Sequence, residues 1–223
     1  MSLLLDVSHR IRLRRRSLSR AYLIRIATGD TFEIGSIMRR VFIAINLSNK
    51  DKNRINGLIE NLKPLFKDDS LRWTRPENRH LTVSFLGNQD DDAVARIAEA
   101  LKHVVSKTLA PHVKINKLTY GPSERAARMI WLAGDYADSK ELGALKEEIE
   151  MSLAQSGVRF QREARQFRTH ITLARFNAPV ESQPNIARDF DIDFIPSTIE
   201  LMESDLSPFE AEYSVLVSAP FQG

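Results

Sequence analysis

The 223-residue chain is predicted to be α+β, with mostly antiparallel sheets in a two-lobed, pseudo-symmetric plan. Two observations predict this. Seven β-rich apolar segments alternate with only three helical stripes, too few to supply the crossovers of a doubly wound parallel sheet. In addition, one short strand-borne word, His80-Leu81-Thr82, returns as His170-Ile171-Thr172, with no shorter period between the copies.

The elements follow in order. Arg40–Leu47 is apolar and β-rich and reads as a buried strand. Ser48 followed by Asp51 marks a capped helix start, and Ile55, Leu58, Ile59 and Leu62 fall on one helical face before Pro64. Residues 68–79 are polar and turn-like. His80–Leu86 is a strand expected to close at Gly87-Asn88. Asp90–Lys107 carries Val94, Ile97, Leu101 and Val104 on one face behind an acidic first turn, which suits the helix dipole. His112–Tyr120 alternates and is stopped by Gly121-Pro122. Arg128–Ala133 is a further strand. Ser139–Ser156 is a helix with Leu142, Leu145, Ile149 and Leu153 inward and Gly157 as its stop. His170–Phe176, Thr198–Leu206 and Tyr213–Ser218 complete the strands.

Composition is that of a soluble globular domain, with 43% hydrophobic and 27% charged residues. No apolar run approaches the roughly 18–20 residues of a membrane helix, so no membrane partner is expected. The absence of cysteine excludes disulfides and thiolate chemistry and fits a cytoplasmic location. The basic charge is local. Residues 1–37 hold seven arginines against Asp6, Asp30 and Glu33, whereas 38–223 carry 25 basic and 26 acidic side chains. Residues 1–37 are therefore expected to be an N-terminal extension ahead of a single domain, 38–223, with Met38 as its natural start. The near-neutral domain gives no whole-surface case for long RNA. A basic patch would require arginines such as Arg72, Arg75, Arg79, Arg125 and Arg128 to gather in the fold.

The chemistry lies in the repeated word. In a strand, residues i and i+2 share a face, so His80 joins Thr82 and His170 joins Thr172, while Leu81, Val83, Ile171 and Leu173 point the other way. Two imidazoles can serve as general acid and general base near neutral pH, and two hydroxyls can donate to an anion between them. That set can open a phosphodiester without a metal or cofactor. The two copies are too alike for their residues to assign which histidine is acid and which is base.

The flanks extend the match. Trp73-Thr74-Arg75-Pro76-Glu77-Asn78-Arg79-His80-Leu81-Thr82-Val83-Ser84-Phe85-Leu86-Gly87 closely resembles the first motif segment of the two-histidine phosphoesterases. Phe167-Arg168-Thr169-His170-Ile171-Thr172-Leu173-Ala174-Arg175 resembles the second, in the LigT-like branch of RNA 2′,3′-cyclic phosphodiesterases, also called the 2′-5′ RNA ligase family. Arg128–Leu132 and Val41–Ile45 resemble that branch's central and opening strands. One departure is Thr169, where the family usually has proline. The resemblance covers about 38–223. It implies a bilobal fold with helices outside and the two motifs facing each other across a central cleft. It also implies hydrolysis of a cyclic phosphate RNA end to a 2′-phosphate, or the reverse 2′–5′ joining, with His170 as base and His80 as acid. Thr82 and Thr172 would hold the non-bridging oxygens.

Other residues are secondary. Arg128 or Arg175 is a candidate for bidentate phosphate contact. Trp73 and Phe85 are candidates for stacking on a base, with core packing the expected role of Phe85. His9, His103 and His112 lack a threonine at i+2 and are expected to be structural or solvent-facing. A zinc site would need ligands beyond the two motif histidines, since there is no H-E-x-x-H and no cysteine. The expected partner is an RNA end or small cyclic phosphate bound by a monomer. Two alternatives remain open: a phosphodiesterase for another small cyclic phosphate, and a non-catalytic RNA-end-binding protein.

Overall fold

A computed structural model describes residues 38–66, 71–123, 125, 127–177, 183–188, 190–206 and 211–222. The expected N-terminal extension, 1–37, lies outside the described residues. The elements run β1 (Arg39–Asn46), α1 (Asn49–Leu62), β2 (Leu71–Trp73), β3 (His80–Gln89), α2 (Asp91–Val105), β4 (Val113–Ile115) and β5 (Lys117–Gly121). There follow β6 (Met129–Ala133), α3 (Lys140–Gln155), β7 (His170–Phe176), β8 (Ile192–Phe194), β9 (Thr198–Leu206) and β10 (Ala211–Pro220).

The local signals explain the helices. Ser48 caps α1 by accepting from the Asp51 N–H, and Asp90 caps α2 by accepting from the Ala93 N–H. Each such cap is worth about 1 kcal/mol. Asp91 and Asp92 open α2, and Lys102 and His103 close it, both matched to the helix dipole.

One eight-stranded sheet has the order β10-β9-β1-β3-β7-β6-β5, with β2 added to β7, and β4 and β8 form a separate pair. The named strand pairs are antiparallel. The large sheet is two halves of four strands, β10-β9-β1-β3 and β7-β6-β5 with β2. They meet at one residue pair, Leu81 opposite Ile171.

Strand alternation sorts the two faces. Val41, Ile43 and Ile45 of β1 join α1, α2 and α3 in the main core, whereas Phe42 and Ala44 pack on the opposite face with Met202 and Tyr213. The three helices therefore cover one face and leave the other to the motif side chains. The sequence expectations need four corrections here. β2 and β8 were not anticipated, β4 and β5 are separate strands interrupted at Asn116, and β3 runs on to Gln89. It passes Gly87 because that residue takes φ +72°, which glycine adopts without a Cβ penalty and which lets a bulge form in the ladder.

Candidate active site

Both motif histidines open a strand, β3 at His80 and β7 at His170. Leu81 and Ile171 point into the core with no exposed surface and fix the facing register at the seam. Burying each contributes about 1.5–3 kcal/mol. One residue to either side, the same antiparallel register sets Thr82 toward His170 and His80 toward Thr172. In ideal antiparallel geometry about that one pair, the four side chains form a rectangle, about 6.5 Å along each strand and about 5 Å across. The histidines lie on one diagonal and the threonines on the other. All four are half-buried.

The likeness of the two strands continues past the motif. Val83 is skipped in the pairing of β3 with β1, and Leu173 is skipped in the pairing of β7 with β6. Each bulge reverses the alternation. The burial sequence over six residues is the same from His80 as from His170, ending on an exposed residue. Phe85 and Arg175 are therefore turned onto the histidine face, and Ser84 is turned into the core. The expected core role of Phe85 is overturned by this reversal: it is 58% exposed, with its ring centroid 6.1 Å from that of Phe42.

Each histidine is held from behind and walled by aromatic rings. His170 Nδ1 lies 2.8 Å from the Arg168 carbonyl, so Nδ1–H donates there and Nε2 is left for a ligand. His80 is hydrogen-bonded by the carbonyl of Asn78, again two residues upstream. Phe42 sits 4.9 Å from the His80 ring and Tyr213 meets it edge-on at 5.1 Å. Trp131 stacks on His170 at 4.0 Å. The indole also lies over Gly121, where a Cβ would come within 2.3 Å of a ring carbon, so glycine is required there. Sequence reasoning missed Phe42, Tyr213 and Trp131 as walls of the site. Only the alternation of β1 and β6 hinted at Phe42 and Trp131.

Burial is the main electrostatic influence on both imidazoles. It pushes His80 down to about 4; the Asn78 carbonyl opposes it, while Lys52, Arg175 and His170 push further down. His170 is also lowered by burial, against partial support from the Arg168 carbonyl and Glu163. Without an anion in the site, both rings are neutral at pH 7.

The remaining candidates separate. Arg175 is exposed on the histidine face, its Nη1 3.0 Å from Met129 Sδ. Arg128 is exposed just before β6, out of phase with Met129 and Trp131, which face the site. Arg79 does not join a surface basic patch. It is 3% exposed, and its guanidinium donates to the carbonyls of Thr74 and Lys52 and to Asn56 Oδ1. Trp73 packs against the core and Phe66. His112 pairs with Asp193, and His103 lies 3.0 Å from Lys107 Nζ. His9 lies outside the described residues.

Residues 45–131 match the family model for LigT-like phosphoesterases, and the two-histidine rectangle supplies the second motif beyond that span. Over residues 45–131 the chain is similar to the LigT-like phosphoesterases. The RNA 2′,3′-cyclic phosphodiesterase of Thermotoga maritima is 28% identical to this chain over 187 residues, covering 82% of this chain and 96% of that protein. The protein of the same name from Archaeoglobus fulgidus is 22% identical, covering 79% and 92%. Among solved structures, TT0787 of Thermus thermophilus superposes with a TM-score of 0.66 at 24% identity, covering 82% of this chain and 98% of that one. Escherichia coli LigT complexed with 3′-AMP superposes with a TM-score of 0.63 at 22% identity, covering 83% and 99%. No helix among the described residues is long and apolar enough to cross a membrane.

Proposed function

We propose that residues 38–223 form a metal-independent hydrolase that opens RNA 2′,3′-cyclic phosphate ends to 2′-phosphomonoesters, with 2′–5′ joining as the reverse reaction. The observation that carries this reading is the rectangle, with histidines on one diagonal and threonines on the other. Phosphorus at its centre has a proton-transfer group on either side, as in-line displacement needs, and a hydroxyl toward each non-bridging oxygen. His170 Nε2 takes a proton from water as the water oxygen bonds to phosphorus. The bond from phosphorus to the ribose 3′-oxygen breaks, and His80 delivers a proton to that oxygen. Thr82 and Thr172 donate to the charge that builds on the phosphorane. Arg175 adds a fixed cation on the same face. Burial leaves His80 neutral in the free protein, and a bound phosphate anion opposes that effect, so substrate itself favours the protonated acid.

The names of the curated relatives and the nucleotide complex of E. coli LigT support an RNA-end or nucleotide substrate. The four motif side chains lie in one chain, which supports action as a monomer. The lack of cysteine supports a cytoplasmic setting.

The test is hydrolysis of a short RNA ending in a 2′,3′-cyclic phosphate, with EDTA present, by wild type, His80→Ala and His170→Ala. A 2′-phosphate product is expected from wild type, with each variant slower by at least about 10²–10⁴-fold. Unchanged turnover in either variant contradicts the two-histidine mechanism. No turnover by wild type redirects the search to another cyclic phosphate or to binding without turnover.

A further inference from the structure

Arg72 on β2 stands directly opposite Arg175 on β7. Residues so opposed project from the same face about 5 Å apart at Cβ, and like charges in that position repel. Both are exposed. Their neighbours Leu71 and Trp73 turn to the core, which leaves Arg72 on the histidine face with Arg175. Among the described residues neither guanidinium has a carboxylate partner; the polar contact of Arg175 is with Met129 Sδ. The charge of Arg175 reaches His80, which it pushes toward the neutral form. Among the described residues, then, an uncompensated pair of planar cations borders the rectangle. Among the described residues nothing uses the pair, and its repulsion is relieved by an anion lying between the two forks.

We propose that Arg72 and Arg175 together hold the phosphodiester adjacent to the cyclic phosphate, so that Arg72 selects RNA ends over cyclic mononucleotides. The inference rests on the phosphodiesterase reading and deepens it. A 2′,3′-cyclic mononucleotide presents only the reacting phosphate. An RNA end presents a second anion one nucleotide away, and Arg72, one strand beyond Arg175, is the residue added to meet it.

The experiment compares kcat/KM of wild type and Arg72→Ala on two substrates, a short RNA ending in a 2′,3′-cyclic phosphate and 2′,3′-cyclic AMP. Each is measured across a range of salt concentration, beside a thermal melt. Arg72→Ala is expected to lose about tenfold or more on the RNA and to stay within about twofold on cyclic AMP. Its salt slope on RNA should be shallower by about one, the signature of a lost phosphate contact. Its melting temperature should not fall, because the substitution removes a repulsion. Equal losses on both substrates, or no loss on either, overturn the proposal while leaving the phosphodiesterase reading intact. Turnover of neither substrate by wild type overturns both.

Discussion

Thr169, immediately before His170, is buried with a hydroxyl that has no hydrogen-bond partner among the described residues. Its backbone N–H donates to Ser139 Oγ at 3.0 Å, a bond that the proline usual in the family cannot make. The residue thus combines a useful backbone donor with a costly side-chain oxygen. Thr169→Val keeps the shape and the N–H and removes the unpaired hydroxyl, so it should raise stability by about 1 kcal/mol in urea unfolding. Thr169→Pro, which loses the bond to Ser139, should show no such gain. A destabilised valine variant would mean that the hydroxyl is satisfied after all. The motif residues themselves were legible in the sequence because period-two alternation and a repeated word point the same way. Phe85 was not, for a physical reason. Unbroken alternation groups it with Leu81 and Val83 in the core, and the bulge at Val83 reverses the phase. A bulge adds one unpaired residue and leaves no composition signal.

That reversal has a counterpart beneath the sheet, where Ser84 Oγ donates to Glu150 Oε1 at 2.7 Å. Glu150 is 1% exposed on α3. It also pairs with Lys146 at 2.8 Å and with Arg162, in the segment leading toward β7, at 2.8 Å. Burial pushes its carboxyl up, but the bonds from Lys146, Arg162 and Ser84 outweigh that and hold it below its ordinary range. One carboxylate therefore ties the strand of the first motif to the approach of the second. Glu150→Ala leaves Lys146 buried without its main partner and should cost about 3–5 kcal/mol. Ser84→Ala should cost about 1–3 kcal/mol. Urea unfolding measures both, and equal losses would mean that the charge pairing adds nothing. The stripe of α3 was readable, since Leu142, Leu145, Ile149 and Leu153 all face inward. Glu150 beside it carries no sequence signal of burial. Strands β2 and β8 escaped because three residues carry too little alternation to stand out from a turn.

For the molecule as a whole, acid sensitivity follows from burying neutral imidazoles. An unfolded His80 binds its proton near pH 6.5, and the folded one near 4. Between those values the unfolded chain holds more protons, so stability rises with pH. The contribution of His80 is fully present above about pH 6.5 and is lost as pH falls toward 4, on the order of 3 kcal/mol. Urea midpoints measured from pH 7 to pH 4 should fall accordingly, and less steeply in His80→Gln; identical slopes would place the titration elsewhere. Fold class was readable from helix scarcity, but how the halves join was not, because the seam is a single pair separated by ninety residues of chain. The local two-fold axis through that seam has a stereochemical consequence. Under the proposed mechanism, displacement along the histidine diagonal inverts the configuration at phosphorus. The threonine diagonal presents the two prochiral oxygens with the same hydroxyl. On that proposal, chirality at phosphorus is left to the residues that break the symmetry, Phe85 on one strand and Arg175 on the other.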